Sequence, residues 1–154
     1  MTSPHDRATT LEPMAVQESL VLVKPDGVAR NLTGEILRRI EAKGYQLVDI
    51  RLVEPDRVLL AEHYAEHEGK SFYEPLLDFM ESGPIVAIRI AGDRVIEGFR
   101  VLAGPTEPTL APPGTIRGDL GRDWGTVVVQ NLVHGSDSPE SAERELAIWF
   151  PTGR

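Results

Sequence analysis

The sequence predicts an α+β fold with helices packed against one face of a four-stranded antiparallel sheet. Three observations predict it. Short apolar runs alternate with segments of helical period in the order β-α-β-(αα)-β-α-β-α. Gly and Pro punctuate the joints between them. The chain has 154 residues, 41% hydrophobic and 26% charged, enough for one sizeable core and too little for two. This order suits a ferredoxin-like split βαβ arrangement.

Residues 1–17 are mixed in character, hold two prolines and sustain no apolar period, so they read as a flexible tail ahead of a domain over residues 18–154. Ser19 to Lys24 is an apolar run stopped by Pro25-Asp26-Gly27, a buried strand entering a turn. Thr33 offers a cap for a helix in which Leu32, Ile36, Leu37 and Ile40 share a face, and Gly44 supplies a left-handed stop. Tyr45 to Val53 alternates, with Val48, Ile50 and Leu52 on the apolar side of a half-buried strand. Two short helices follow, over Arg57 to Glu66 and Ser71 to Glu81. Ser71 and Glu74 look like a capping box, but Pro75 lacks an N–H and argues for a later start.

Ile85 to Ile90 is a third strand and Asp93 to Ala103 a third helical pattern. Gly104 to Gly125 holds five glycines and four prolines and reads as a long irregular loop, a kind that usually has a function. Thr126 to His134 is β-branched and predicts the fourth strand. Ser138 and Pro139 then provide the cap and first position of a last helix reaching about Trp149.

Charge and composition exclude several function classes. Sixteen basic and 24 acidic residues leave a net charge of −8, which argues against nucleic acid or an anionic membrane as partner. No cysteine is present, so disulfides, thiolate nucleophiles and Cys-based zinc sites are excluded, and a reducing cytoplasm fits. No run approaches the ~20 apolar residues of a membrane span, and the first residues lack the apolar stretch of a secretory signal.

His134 closes a strand and precedes Gly135-Ser136-Asp137-Ser138, which suits either a hydrogen-bonded turn histidine or a nucleophile at a sheet edge. Glu145, at the edge of the last helix's apolar stripe, suits either a surface ion pair or a carboxylate orienting that imidazole. Lys24, Arg100 and Arg117 lie on separate elements and could converge on phosphate or stand apart in solvent. A P-loop and a serine-hydrolase elbow are absent. His63 and His67 have metal-ligand spacing, but Tyr64 stands where H-E-x-x-H needs Glu. Tyr64, Phe72 and Leu76 could wall an aromatic base or fill a core. A ferredoxin-like RNA module would need an aromatic RNP1 pattern, which is missing.

Taken together, VLVKPDG, AEHYAEHEGKSFYEPLLDFMESGPIVA, APPGTIRGD and NLVHGSDSPESAERELAIWF resemble the nucleoside diphosphate kinase family, in the right order from about Ser19 to Phe150. The resemblance implies transfer of the terminal phosphate of a nucleoside triphosphate to a nucleoside diphosphate, by a ping-pong route through a phosphohistidine. His134 matches the family's nucleophile, Glu145 the carboxylate that orients it, and Ser136 the hydroxyl beside it. Lys24, Tyr64, Arg100, Thr106, Arg117 and Asn131 match positions that contact phosphates or sugar, and Phe72 and Leu76 match the clamp on the base. It further implies Mg²⁺ held mainly by the nucleotide phosphates with no metal cage from the protein, and a cytoplasmic homo-oligomer, a tetramer or hexamer built from dimers. The edge of the second strand is the expected contact.

Two segments depart from the family pattern. Leu120 to Gln130 is about four residues longer than usual, at a modest entropic cost of loop closure. It is expected beside the nucleotide. In Gly104-Pro105-Thr106-Glu107-Pro108, Pro105 stiffens the turn and Glu107 is expected to weaken nucleotide affinity by placing an anion near the phosphates.

Overall fold

The computed structural model describes residues 16–152, so the tail expected over residues 1–17 lies almost wholly outside the described residues. In chain order the elements are β1 (Gln17–Val23), α1 (Pro25–Ala29), α2 (Thr33–Lys43), β2 (Gln46–Val53), α3 (Arg57–His63), α4 (Tyr73–Met80), β3 (Ile85–Gly92), α5 (Val95–Ala103), α6 (Ile116–Leu120), β4 (Val133–Gly135) and α7 (Pro139–Trp149). Short 3₁₀ turns form at Ala65–His67 and Pro108–Leu110. The four strands make one sheet in the order β2-β3-β1-β4, every pair antiparallel. This is the predicted split βαβ sheet.

One packing expectation is corrected: helices cover both faces of the sheet. Val21 and Val23 of β1 face a cluster with Ile36 and Ile40 of α2 and Phe99 of α5. Leu20 and Leu22 face the opposite cluster, with Leu60 of α3, Leu77 and Met80 of α4, and Leu146 and Trp149 of α7. The reason lies in the strand itself. Leu20 to Val23 are four consecutive apolar residues, all with 0% exposure, and a central strand apolar on both sides must be covered on both sides.

The apolar set of β2 is the second correction. Val48, Ile50 and Leu52 are 46%, 45% and 72% exposed, not half-buried against the core. A register shift between Leu47 and Asp49 changes which residues share a face, and only the Leu47 end packs against the cluster under α2. β2 is thus a sheet edge with an open apolar face.

The predicted fourth strand shrinks to three residues. Thr126 to Leu132 forms no ladder, because β1 pairs only with Val133 to Gly135 on this side. Val127 is left 88% exposed, so local β-propensity has nothing to pack against. Helix ends follow local chemistry more closely. Gly44 ends α2 in the left-handed region at φ 99°, and Ser138 Oγ accepts from Ser141 N–H at 3.1 Å to cap α7. Thr33 is the first residue of α2, with Leu32 at the cap position. α4 begins only at Tyr73, which puts Pro75 in the first turn, where a missing N–H costs nothing, and the Ser71–Glu74 box does not form. Two short helices escaped the sequence reading, α1 in the Pro-Asp-Gly turn and α6 in the glycine-rich loop. Among the described residues no helix is long and apolar enough to cross a membrane.

Candidate active site

His134 stands in β4 opposite Leu22 of β1, so the central strand fixes its backbone. The following Gly135 has Phe99 against its open side, where a Cβ would sit 2.6 Å from Phe99 Cδ2. A glycine there lets α5 close on the strand. The imidazole Nε2 lies 2.8 Å from Glu145 Oε1 of α7, and the same oxygen accepts from Ser136 Oγ at 2.8 Å. Ser136 Oγ in turn accepts from the Leu20 amide at 3.1 Å. A carboxylate oxygen accepts, so the ring's Nε2 carries the proton and Nδ1 keeps its lone pair. The Glu145 side chain is 7% exposed and His134 is 19% exposed, so the ring's far side opens on solvent while its support is buried.

That opening is a cleft of about 1110 Å³ whose lining includes Lys24, Arg100, Thr106, Arg117, Asn131 and His134. Lys24 Nζ donates to Asn131 Oδ1 at 2.9 Å, and Asn131 Nδ2 donates to the Thr106 carbonyl at 2.9 Å. Arg117 donates to three carbonyls: Asn131 at 3.1 Å, Gly104 at 2.7 Å and Val133 at 2.6 Å. Arg100, exposed on α5, reaches the Gly135 carbonyl at 3.4 Å. Burial, then the nearby Arg117 charge, pulls the Lys24 ammonium down to about 8, against a smaller opposite effect of Asp26. Arg117 is itself pulled down to about 10 by burial and by Arg100. Positive charge is thus crowded and short of counter-charge, as an anion-binding cleft requires.

The segment before His134 is held under strain. Leu132 has φ 74° at the centre of a strained γ-turn closed by Val133 N–H donating to the Asn131 carbonyl at 2.8 Å. Its N–H donates to Asp26 Oδ2 at 3.1 Å, and its carbonyl accepts from the Lys24 amide at 2.8 Å. Gly27 permits this approach, since a Cβ there would lie 3.1 Å from the Leu132 oxygen.

Three of the residues expected to bind nucleotide lie apart from the cleft lining. Tyr64 is 8% exposed in the core cluster, with burial raising its phenol well above the usual range. Phe72 is 43% exposed and Leu76 lies partly buried against that same cluster. They connect to the cleft through His67, a lining residue whose ring stacks on Tyr64 at 6.2 Å and meets Phe72 edge-on at 5.2 Å. The sequence reading weighed His67 only as a metal partner of His63. The aromatic residues at either hand of it, Tyr64 and Phe72, were the signal available.

The two departures from the family pattern are resolved by geometry. Glu107 turns into its own 3₁₀ turn, accepting from Thr109 N–H at 2.7 Å, and it does not line the cleft. The long segment Leu120 to Gln130 contributes no lining residue either. Its Trp124, 49% exposed, is flanked by the guanidinium groups of Arg30 at 5.8 Å and Arg122 at 4.2 Å.

A split βαβ sheet with a carboxylate-backed histidine beside crowded cations suits a phosphotransferase. Similarity to known proteins narrows the class. The nucleoside diphosphate kinase family model matches residues 17–154, and the chain belongs to that family. A nucleoside diphosphate kinase of Streptomyces coelicolor is 59% identical over 136 residues, covering 88% of this chain and 96% of that protein. Among solved structures, a transition-state mimic of the Borrelia burgdorferi nucleoside diphosphate kinase with bound vanadate and ADP superposes with a TM-score of 0.85 at 33% identity, covering 91% of this chain and 90% of that one. A halophilic nucleoside diphosphate kinase of Halobacterium salinarum in complex with CDP gives a TM-score of 0.83 at 43% identity, covering 89% of each chain.

Proposed function

We propose that the domain over residues 18–154 moves the terminal phosphoryl group of a nucleoside triphosphate to a nucleoside diphosphate in two half-reactions at His134. The observation that carries this reading is the 2.8 Å contact between His134 Nε2 and Glu145, which leaves Nδ1 as the nucleophilic nitrogen of a ring lining the cationic cleft. In the first half, the Nδ1 lone pair forms a bond to the γ-phosphorus as the bond to the β–γ bridging oxygen breaks, and that oxygen leaves with its electron pair on the diphosphate. Glu145 stabilises the positive charge that develops on the ring, and Ser136 holds Glu145. The second half reverses these steps onto a new diphosphate. Lys24, Arg100 and Arg117 supply positive charge to the equatorial oxygens, Thr106 and Asn131 place polar groups beside them, and Phe72 and Leu76 with Tyr64 form the base-side wall through His67.

The sole grouping of potential metal ligands among the described residues is His63, His134 and Glu145, rich in nitrogen and engaged in internal hydrogen bonds. Mg²⁺ asks for oxygen ligands and keeps its water, so the cleft suits an ion that arrives on the phosphates and is held mainly by them. When bound, it neutralises phosphate charge. The reading includes a cytoplasmic setting, where nucleotides are abundant, and excludes nucleic acid and membranes as partners on the strength of the net charge of −8.

Incubation with γ-labelled ATP and Mg²⁺ tests the reading. The expected result is an acid-labile, alkali-stable phosphoprotein that ADP or GDP discharges. An unlabelled protein, or label resistant to both diphosphates, rejects it.

Lys24 gives the reading a pH signature. A polyphosphate favours the charged ammonium and raises its pKa above the value of about 8 in the free protein. Binding at about pH 8.5 therefore takes up a proton, and affinity falls as pH climbs past 8. Calorimetric titration in two buffers of different ionisation enthalpy should show this uptake; proton release would contradict the assignment.

We also propose that the open face and free edge of β2 dock a second copy of the chain, the first step towards a tetramer or hexamer built from dimers. Val48, Ile50 and Leu52 form an exposed apolar row on an unpaired edge, the feature that natural sheets cover or blunt. Leu52→Glu should shift the sedimenting species to a smaller size. An unchanged sedimentation profile would place the contact elsewhere.

A further inference from the structure

His63 is a buried, ionisable side chain that the transfer chemistry above does not use. It ends α3 at 3% exposure, among the apolar residues beneath the nucleophile. Its Nδ1 accepts from the indole Nε1–H of Trp149 at 3.0 Å. An indole nitrogen can only donate, so His63 Nδ1 must be bare and the ring's proton must sit on Nε2. Protonating Nδ1 would set two N–H groups against each other. The ring therefore has a fixed tautomer and a fixed charge of zero.

The contact continues to the active site. The His63 and His134 rings meet edge-to-face, centroids 4.7 Å apart and planes at 76°. Trp149 in turn stands edge-to-face on His63, at 5.7 Å and 82°. Arg144 ties the end of α3 to α7 through the carbonyls of Glu62 at 3.0 Å and His63 at 3.2 Å. Thus α7 supports the nucleophile twice. Glu145 fixes one nitrogen of the ring by a hydrogen bond, and Trp149 fixes the plane of the ring through His63.

We propose that His63 is a positioning residue for the phosphoryl transfer at His134, locked by Trp149 as a neutral Nε2–H ring that braces the nucleophile's imidazole at right angles. A hydrogen bond to Glu145 alone leaves His134 free to rock about the Nε2···Oε1 line. A perpendicular ring against it removes that freedom and keeps Nδ1 aimed along one direction. Neutrality matters for the same step. The Glu145 carboxylate of α7 lies within 4.8 Å and the Tyr64 ring meets His63 edge-on at 4.5 Å, but the groups whose charge opposes protonation of His63 are basic: His134 from β4, Arg144 from α7, Lys24 after β1 and His67 from the 3₁₀ turn. A cation at His63 would oppose the positive charge that Glu145 stabilises on His134. Burial first, and these neighbours next, hold the His63 ring well below the ordinary histidine range.

The inference rests on the phosphohistidine reading, and its test separates the two. Trp149→Phe keeps an aromatic ring and deletes only the donor that locks His63. Phosphorylation of His134 by ATP is followed both as a rate and as the final number of labelled sites. The expected result is full labelling, an unchanged KM for ATP and a rate lowered roughly tenfold, the scale of lost orientation behind a reactive group. A purely structural role would lower the labelled fraction and leave the rate per competent site unchanged; that result, or an unchanged rate at full labelling, overturns the proposal. If Trp149→Phe does not fold, ¹⁵N shifts of the His63 ring in the unaltered protein decide. Bare Nδ1 and protonated Nε2 down to about pH 5.5, a full unit below the ordinary histidine value, support the lock. A proton on Nδ1 in that range removes it. Absence of label on the unaltered protein would instead reject the function itself, while the ring shifts would still report the state of His63.

Discussion

His134→Ala is expected to fold, to bind nucleotide and to accept no phosphoryl group, with steady-state transfer lowered by about four orders of magnitude or more. The other lining side chains with lone pairs, among them Lys24, His67, Thr106 and Ser138, lack the buried carboxylate that orients His134. Ser138 Oγ is committed to capping α7, and Ser136 is buried at 0% exposure with its oxygen committed to Glu145 and the Leu20 amide. The cations remain, so nucleotide binding survives. The substitution leaves Glu145 with the Ser136 hydroxyl as its donor, and loss of one hydrogen bond to a buried carboxylate should cost about 2 kcal/mol of stability. Label incorporation and a melting curve on the same preparation check both halves. Retained label at wild-type level would mean that the phosphoryl acceptor is another residue.

Arg117→Ala should be the most damaging change elsewhere in the cleft, because one guanidinium serves two purposes. It donates to the carbonyls of Gly104, Asn131 and Val133, and so joins the end of α5 to the segment entering β4. It also contributes charge where phosphate is expected. Stranding three partly buried acceptors costs about 3–5 kcal/mol, and removing the cation from the transfer step costs a further ~10²-fold in kcat/KM. Arg117→Lys should rescue little. A single ammonium cannot present donors in three directions from a planar fork. Thermal unfolding and kcat/KM, measured for both variants, check the claim; a lysine variant with wild-type stability and activity would reduce Arg117 to a surface charge.

Much of the fold was legible because its strongest signals are local. The apolar run at Ser19 to Lys24 could be little other than a buried strand, and Gly44 and Ser138 mark helix ends by chemistry that acts over four residues. The misreadings concern partners distant in sequence. Whether Thr126 to Leu132 becomes a strand depends on how much of β1 is free to pair, and the exposure of Ile50 and Leu52 depends on a bulge and on where α2 ends. The same division runs through the site. Lys24, Arg100, Thr106, Arg117, Asn131 and His134 carry recognisable motifs, and the chain brings them to one cleft. His67 has its signal in the neighbouring Tyr64 and Phe72, whereas the hydrogen bond that His63 accepts from Trp149, 86 residues away, leaves no trace in a linear reading.

The γ-turn at Leu132 makes the cleft behave as a latch under thermal stress. Its peptide is fastened on one side by the carboxylate of Asp26 and on the other by the backbone of Lys24, while its chain neighbours are the Asn131 that Lys24 grips and the strand bearing His134. Releasing the ~1–3 kcal/mol stored in that turn lets this peptide relax and unhooks both halves of the cleft together ahead of global unfolding. Warming should therefore silence turnover some degrees before circular dichroism registers any melting, and cooling should restore it.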